Sequence, residues 1–214
     1  MRALERAGAR PRKDPKGTSA PTPTAPRPPE QPAPPPGRCP VLVGGVGPRE
    51  QGDASFGVVA VDVLSEHRWP CGTEILDLGD RVVDASEALL AAAPPFRKAV
   101  LLGGVSRERR PGRCYPRAWQ SSHTDSDDVG ARIRQVGQRG SHLDDFLVVA
   151  EHFGALPSDV AILEVEPVRH PSDPGLSPEA EALLPEVIRW VQREVAAVTH
   201  AAGVSPILAE RSLE

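Results

Sequence analysis

Apolar residues in this chain follow two rhythms. Short, largely apolar runs at Val41 to Val43, Thr73 to Leu78, Lys98 to Leu102 and Val160 to Val165 are bounded by glycine or polar residues, the pattern of parallel strands buried on both faces. Phe56 to Leu64, Ala85 to Ala92 and Leu143 to Phe153 instead space their apolar residues at the helical period. The clearest helix follows Ser177, a capping residue with Pro178 at the first helical position, and sets Leu184, Val187, Ile188, Val191, Val195 and Val198 on one face. Pro185 removes a backbone donor there, so the helix is expected to kink or restart. Alternating strands and helices predict an α/β fold, a parallel sheet with helices on both faces. Arg107 to Trp119 and Gln120 to Gly140 read as excursions from that sheet.

Composition changes the picture at the ends. Residues 1–38 hold eleven of the chain's 25 prolines and almost no bulky apolar side chains, so they cannot offset their own ordering entropy. They predict a disordered, proline-rich basic tail, followed by one domain over 39–203 and a C-terminal tail over 204–214. The first 38 residues carry eight basic against three acidic side chains, a surplus of five, which leaves the rest of a chain of net charge -4 at -9. The tail's basic residues are diluted by proline and lack interleaved aromatics, which argues for a solvated linker and against nucleic-acid binding. No apolar run approaches the roughly 20 residues that span a bilayer, and Met1 to Ala20 lacks the apolar centre of a signal peptide, so a cytoplasmic protein with no membrane span is expected. Cys39, Cys71 and Cys114 are odd in number and form no C-x-x-C pair, the signature of reduced thiols.

Several nucleotide and metal motifs fail on inspection. Gly45-Val-Gly47 begins a dinucleotide fingerprint, but its third glycine falls on Glu50, whose charge repels a pyrophosphate. Gly47 to Gly52 has P-loop spacing, yet Asp53 and Ala54 stand where lysine and a hydroxyl residue belong. Asp125, Asp127 and Gly130 open a calcium-loop pattern that Val129 and Val136 break, leaving an exposed acidic turn. Neither H-E-x-x-H nor G-x-S-x-G occurs.

An ordered set of segments remains: VGGVGPREQGDASFGV, EILDLGD, VLLGGVSRERRPG, a Ser-His pair at 141–142 before a helix, and EVEPVRHPSDPGLSP before the last helix. This set resembles the hydrogenase maturation proteases, endopeptidases that trim the C-terminal extension of a nickel-iron hydrogenase large subunit after nickel insertion. The likeness runs from about Pro40 to Val198. It implies a phosphorylase/hydrolase-like three-layer α/β/α sandwich with a mostly parallel sheet, a hydrogenase large-subunit precursor as partner, and nickel supplied by that substrate.

The family's two carboxylate ligands and one histidine map onto this chain one by one. The first ligand is the second residue of D-[DE]-x-x-G, here Asp53-Ala54-Ser55-Phe56-Gly57, so the position is Ala54. The second lies in a D-A pair after the third strand, here Gly103-Gly104. The histidine is retained as His142. With two of three ligands missing, nickel affinity is expected to be weakened or lost. Asp53 is the candidate substitute ligand, against a plainer role as cap of the Phe56 helix. Asp77, Gly45 and Gly47 are cleft candidates, Asp77 also suiting a loop organiser; His123 lies in a loop, and Asp144 and Asp145 suit a helix start, where negative charge is favourable. Two functions follow from the resemblance: an endopeptidase with an altered site, or a non-catalytic relative that serves as a binding or assembly module.

Overall fold

The computed structural model describes residues 40–91, 96–121, 126–139, 143–168 and 174–201. Both predicted tails, His123 and His142 lie outside them. Five strands form one sheet in the order β2-β1-β3-β5-β4. The strands are β1 (Val41–Val46), β2 (Thr73–Gly79), β3 (Lys98–Gly104), β4 (Cys114–Ala118) and β5 (Asp159–Val165). All neighbours are parallel except β4, which runs antiparallel to β5 at one edge.

Helices cover both faces. On one side α1 (Phe56–Ser65), α5 (Pro178–Glu181) and α6 (Leu184–Ala201) pack through Phe56, Val61, Leu64, Ala180, Val187, Val191 and Val195 onto Val41, Val43, Val100 and Leu102. On the other, α2 (Val82–Ala91), α3 (Ser126–Arg139) and α4 (Leu143–His152) bury Leu89, Val129, Phe146 and Val149 against Leu42, Leu101 and Ile162. Fully buried side chains such as Phe56, Leu64 and Phe146 each contribute roughly 2 to 3 kcal/mol of transfer free energy. The three-layer α/β/α arrangement is therefore the one the sequence predicts.

Each predicted strand and helix forms, with shifts of one to three residues at its ends. Ser177 caps α5, its hydroxyl accepting from the Ala180 amide at 3.1 Å, with Pro178 in the first turn. The restart expected near Pro185 takes a definite form. A proline at 185 has no N–H for the Glu181 carbonyl and its ring crowds that carbonyl, so α5 stops at Glu181 and α6 begins with Pro185 in its first turn. The two excursions need correction, because each holds a regular element. Residues 114–118 form β4, whose Pro116 is tolerated because the strand is an edge. The acidic turn expected around Asp127 is the first turn of α3, where Asp127 and Asp128 favour the helix dipole.

The chain leaves β1 through α1 to β2 on one side and returns through α2 to β3 on the other. The sheet therefore has its topological switch between β1 and β3, and ligands of open α/β sheets bind beyond the carboxyl ends of such strands.

Candidate functional site

At the carboxyl ends of β1 and β3 the backbone is packed without intervening side chains. A 3-10 turn (Gly52–Ser55) follows β1 and lies directly on the end of β3. A Cβ at Gly104 would overlap the Asp53 carbonyl oxygen and stand 3.0 Å from the Ala54 Cα. One at Gly103 would meet Leu143 Cδ2, in the first turn of α4, and the Val46 carbonyl oxygen, both at 3.3 Å. Ala54 thus lies against Gly104, whereas Gly103, its neighbour on the strand, meets Leu143 at the start of α4. Gly45 and Gly57 face each other there, so α1 meets the sheet backbone to backbone, and Gly47, at φ +145°, faces the Ala54 carbonyl oxygen. These glycines serve close approach, and that is the physical content of the glycine-rich pattern after β1.

Asp53 lies in this junction, fully buried. Its carboxylate turns away from the helix start. Oδ1 accepts from the Ser177 amide at 2.6 Å; Oδ2 accepts from the Val168 amide at 2.7 Å and from the Ser177 hydroxyl at 2.9 Å. Ser55, the N-cap of α1, makes no side-chain cap bond. The plainer role expected of Asp53 is therefore corrected in its partner: the side chain ties the 3-10 turn after β1 to the chain beyond β5, over more than a hundred residues of sequence.

Asp77 organises its own loop. Its Oδ1 accepts from the Gly79 amide at 2.8 Å and its Oδ2 from Arg49 Nε at 3.0 Å. Arg49 also bridges to Asp62 on α1, at 2.8 Å, and that bond holds the Asp62 carboxyl below its ordinary range. A separate cavity of about 440 Å³ between α2 and α3 is lined by Val82, Val83, Ile133 and Val136 among others, and no candidate residue reaches it. Cys71 and Cys114 are free thiols; burial, then the charge of Glu186, pushes Cys114 up to about 11, so it stays protonated.

The sequence reading missed an ionic cluster beside position 103. Gly103 and Glu164 are register partners, and Leu101 and Ile162, two residues earlier, both belong to the core on the α4 side. With alternation of period two, Glu164 projects onto that same face. Its side chain has no exposed surface and meets three arginines. Arg107 donates from Nε to Oε2 at 2.8 Å and from Nη2 to Oε1 at 2.6 Å, and Arg117 Nε reaches Oε1 at 2.8 Å. Arg109 Nη2 lies 2.9 Å from Oε2 as a charge contact without hydrogen-bond alignment, while its Nε donates to Glu166 at 3.0 Å and its guanidinium stacks on Tyr115. Glu166 also accepts from the Arg107 amide at 2.8 Å. Asp144 completes the cluster, and Asp145, expected as helix decoration, is buried and pairs with Arg132 at 3.2 Å. The signal was present in the sequence: a glutamate inside the apolar run Val160 to Val165 cannot be buried without cationic partners.

Burial alone raises the Glu164 carboxyl, but hydrogen bonds from Arg107 and Arg117 and their charges outweigh it and bring it down to about 2. A depressed acid stabilises the folded state above its ordinary pKa and loses that contribution as pH falls toward the folded value. Between pH 4.5 and 2 this group is therefore expected to remove roughly 2 to 3 kcal/mol. Urea unfolding at pH 7 and pH 3 checks this: Glu164→Gln is less stable at pH 7 and shows a shallower acid loss. An acid loss as steep as that of the unmodified chain refutes the assignment.

The hydrogenase maturating endopeptidase HybD of E. coli is 20% identical over 76% of this chain and 93% of its own, with a TM-score of 0.54. An endopeptidase of Escherichia coli known in solution is 24% identical, covering 81% and 99%, with a TM-score of 0.56. The NiFe hydrogenase maturation protease HybD of Thermococcus kodakarensis is 14% identical, covering 73% and 99%, at 0.52. The chain has the fold of the hydrogenase maturation endopeptidases. No protein-family model matches the chain, and no curated protein matches it. Almost the full length of each of these structures is represented, so the maturation-endopeptidase fold accounts for the described domain. Among the described residues no helix is long and apolar enough to cross a membrane.

Proposed function

We propose that this protein binds a hydrogenase large-subunit precursor as an assembly module that keeps the maturation-endopeptidase fold without nickel-guided cleavage. The names of the two HybD proteins point to hydrogenase maturation, and the resemblance in sequence implies the large-subunit precursor as partner. The loss of cleavage rests on one observation: the two positions that the resemblance assigns to carboxylate ligands, 54 and 103, carry a methyl group and a hydrogen. Nickel(II) selects imidazole and carboxylate donors in a defined geometry, and these two positions hold no donor atom. The adjacent Asp53 has its oxygens committed to Val168 and Ser177. The residues present at these positions thus do not fit the ion.

Calorimetric nickel titration of the full chain tests the reading. The unmodified protein is expected to bind no more tightly than its His142→Ala variant, whereas Ala54→Glu combined with Gly103→Asp raises affinity at least a hundredfold. Position 103 has room for the change, since its crowding comes from the flexible end of Leu143 and one carbonyl at 3.3 Å. Micromolar binding by the unmodified chain that His142→Ala abolishes, or shortening of a nickel-loaded precursor, establishes instead an endopeptidase with an altered site. Failure to retain a large-subunit precursor in a binding assay removes the assembly role.

A further inference from the structure

We propose that Arg107 and Arg117 form a receptor for a peptide carboxylate, and that Asp144 occupies it as an internal placeholder. Both guanidinium groups are anchored from behind. Their Nε atoms each donate to the fully buried Glu164 at 2.8 Å, and the Arg107 main chain is held by Glu166. Both then direct Nη2 at Asp144: Arg107 to its two carboxylate oxygens at 2.8 Å, Arg117 to Oδ1 at 2.9 Å. Preorganised arginines converging on one carboxylate are the geometry by which proteins recognise such groups.

Charge balance points the same way. Arg107, Arg109 and Arg117 face two buried carboxylates, Glu164 and Glu166, so the cluster requires one more negative charge. Asp144 supplies it and differs from the other two in exposure: its side chain is 38% accessible, that of Glu164 0% and that of Glu166 3%. An exposed pair of this kind is weak, so an incoming carboxylate displaces little, whereas displacing Glu164 would strand a buried charge. The cluster lies beside position 103 on the α4 face. This site requires neither nickel nor a hydrogenase subunit, and it is tested without them.

The probe is an N-acetylated alanine-glycine hexapeptide in three forms: with a free C-terminal carboxylate, amidated, and amidated with one internal glutamate. Binding to the full chain is followed by calorimetry at low salt. Asp144→Ala is expected to bind a carboxylate-bearing form at least tenfold more tightly than the unmodified protein, and adding Arg117→Gln abolishes the gain. Preference for the free acid identifies a chain terminus as the ligand, and preference for the internal glutamate identifies a side chain. Asp144→Ser is the second variant, because serine keeps a hydrogen-bond acceptor in the first turn of α4. If neither variant binds more tightly than the unmodified chain, or if the amidated peptide without glutamate gains equally, the receptor is refuted.

Discussion

Replacing Asp53 with alanine is expected to lower stability by about 4 kcal/mol, because it leaves buried donors without their charged acceptor. The amides of Val168 and Ser177 and the Ser177 hydroxyl all donate to this carboxylate. Ser177 is the N-cap of α5, so the loss spreads from the 3-10 turn after β1 to the start of the C-terminal helices. Asp53→Asn retains one oxygen but turns an NH2 toward these donors, and is expected to fall between the two. Urea unfolding at neutral pH measures the change, which is a large share of the 5 to 15 kcal/mol that holds an ordinary domain together. A loss under about 1 kcal/mol for Asp53→Ala contradicts the assignment. A nickel-ligand role for Asp53 would require these same donors to find other acceptors.

Gly104→Ala is expected to cost about 3 kcal/mol or more, and Gly103→Ala about 1 kcal/mol or less. The two glycines are neighbours in sequence but meet different surroundings. At 104 the added carbon overlaps the Asp53 carbonyl oxygen and crowds its carbonyl carbon at 2.9 Å and the Ala54 Cα at 3.0 Å, all backbone, so only a shift of the 3-10 turn or of β3 can make room. At 103 one of its two closest neighbours is the end of the Leu143 side chain at 3.3 Å, which moves at little cost. Thermal midpoints of the two variants, measured side by side, decide the matter; equal losses refute the close-approach account. The contrast also revises what the double glycine signifies. Gly104 is set by packing, which leaves Gly103 as the one of the pair whose missing side chain packing does not require.

The element pattern was legible where burial is uniform or one-sided. β1 and most of β3 are buried on both faces and so read as unbroken apolar runs; α6 buries one stripe and reads at its helical spacing. The two missed elements fail that condition. β4 is a half-buried edge with a proline at its centre, and α3 is polar except for Val129, Ile133 and Val136, with Gly130 inside it. The spacing of those three apolar residues was a faint helical signal, outweighed by the charged and small residues around them.

The sequence by itself determined the alternation of strands and helices, the break at Pro185, the cap at Ser177 and the absence of carboxylates at positions 54 and 103, because each is carried by residues adjacent or regularly spaced in the chain. Only the tertiary structure decided that Asp53 reaches Ser177 across the fold, that Gly104 yields its side chain to a carbonyl, and that Glu164 gathers arginines from three separate positions. Those facts depend on distances between segments far apart in sequence. A parallel sheet brings such segments together at the carboxyl ends of its strands, and no local pattern encodes which side chains meet there.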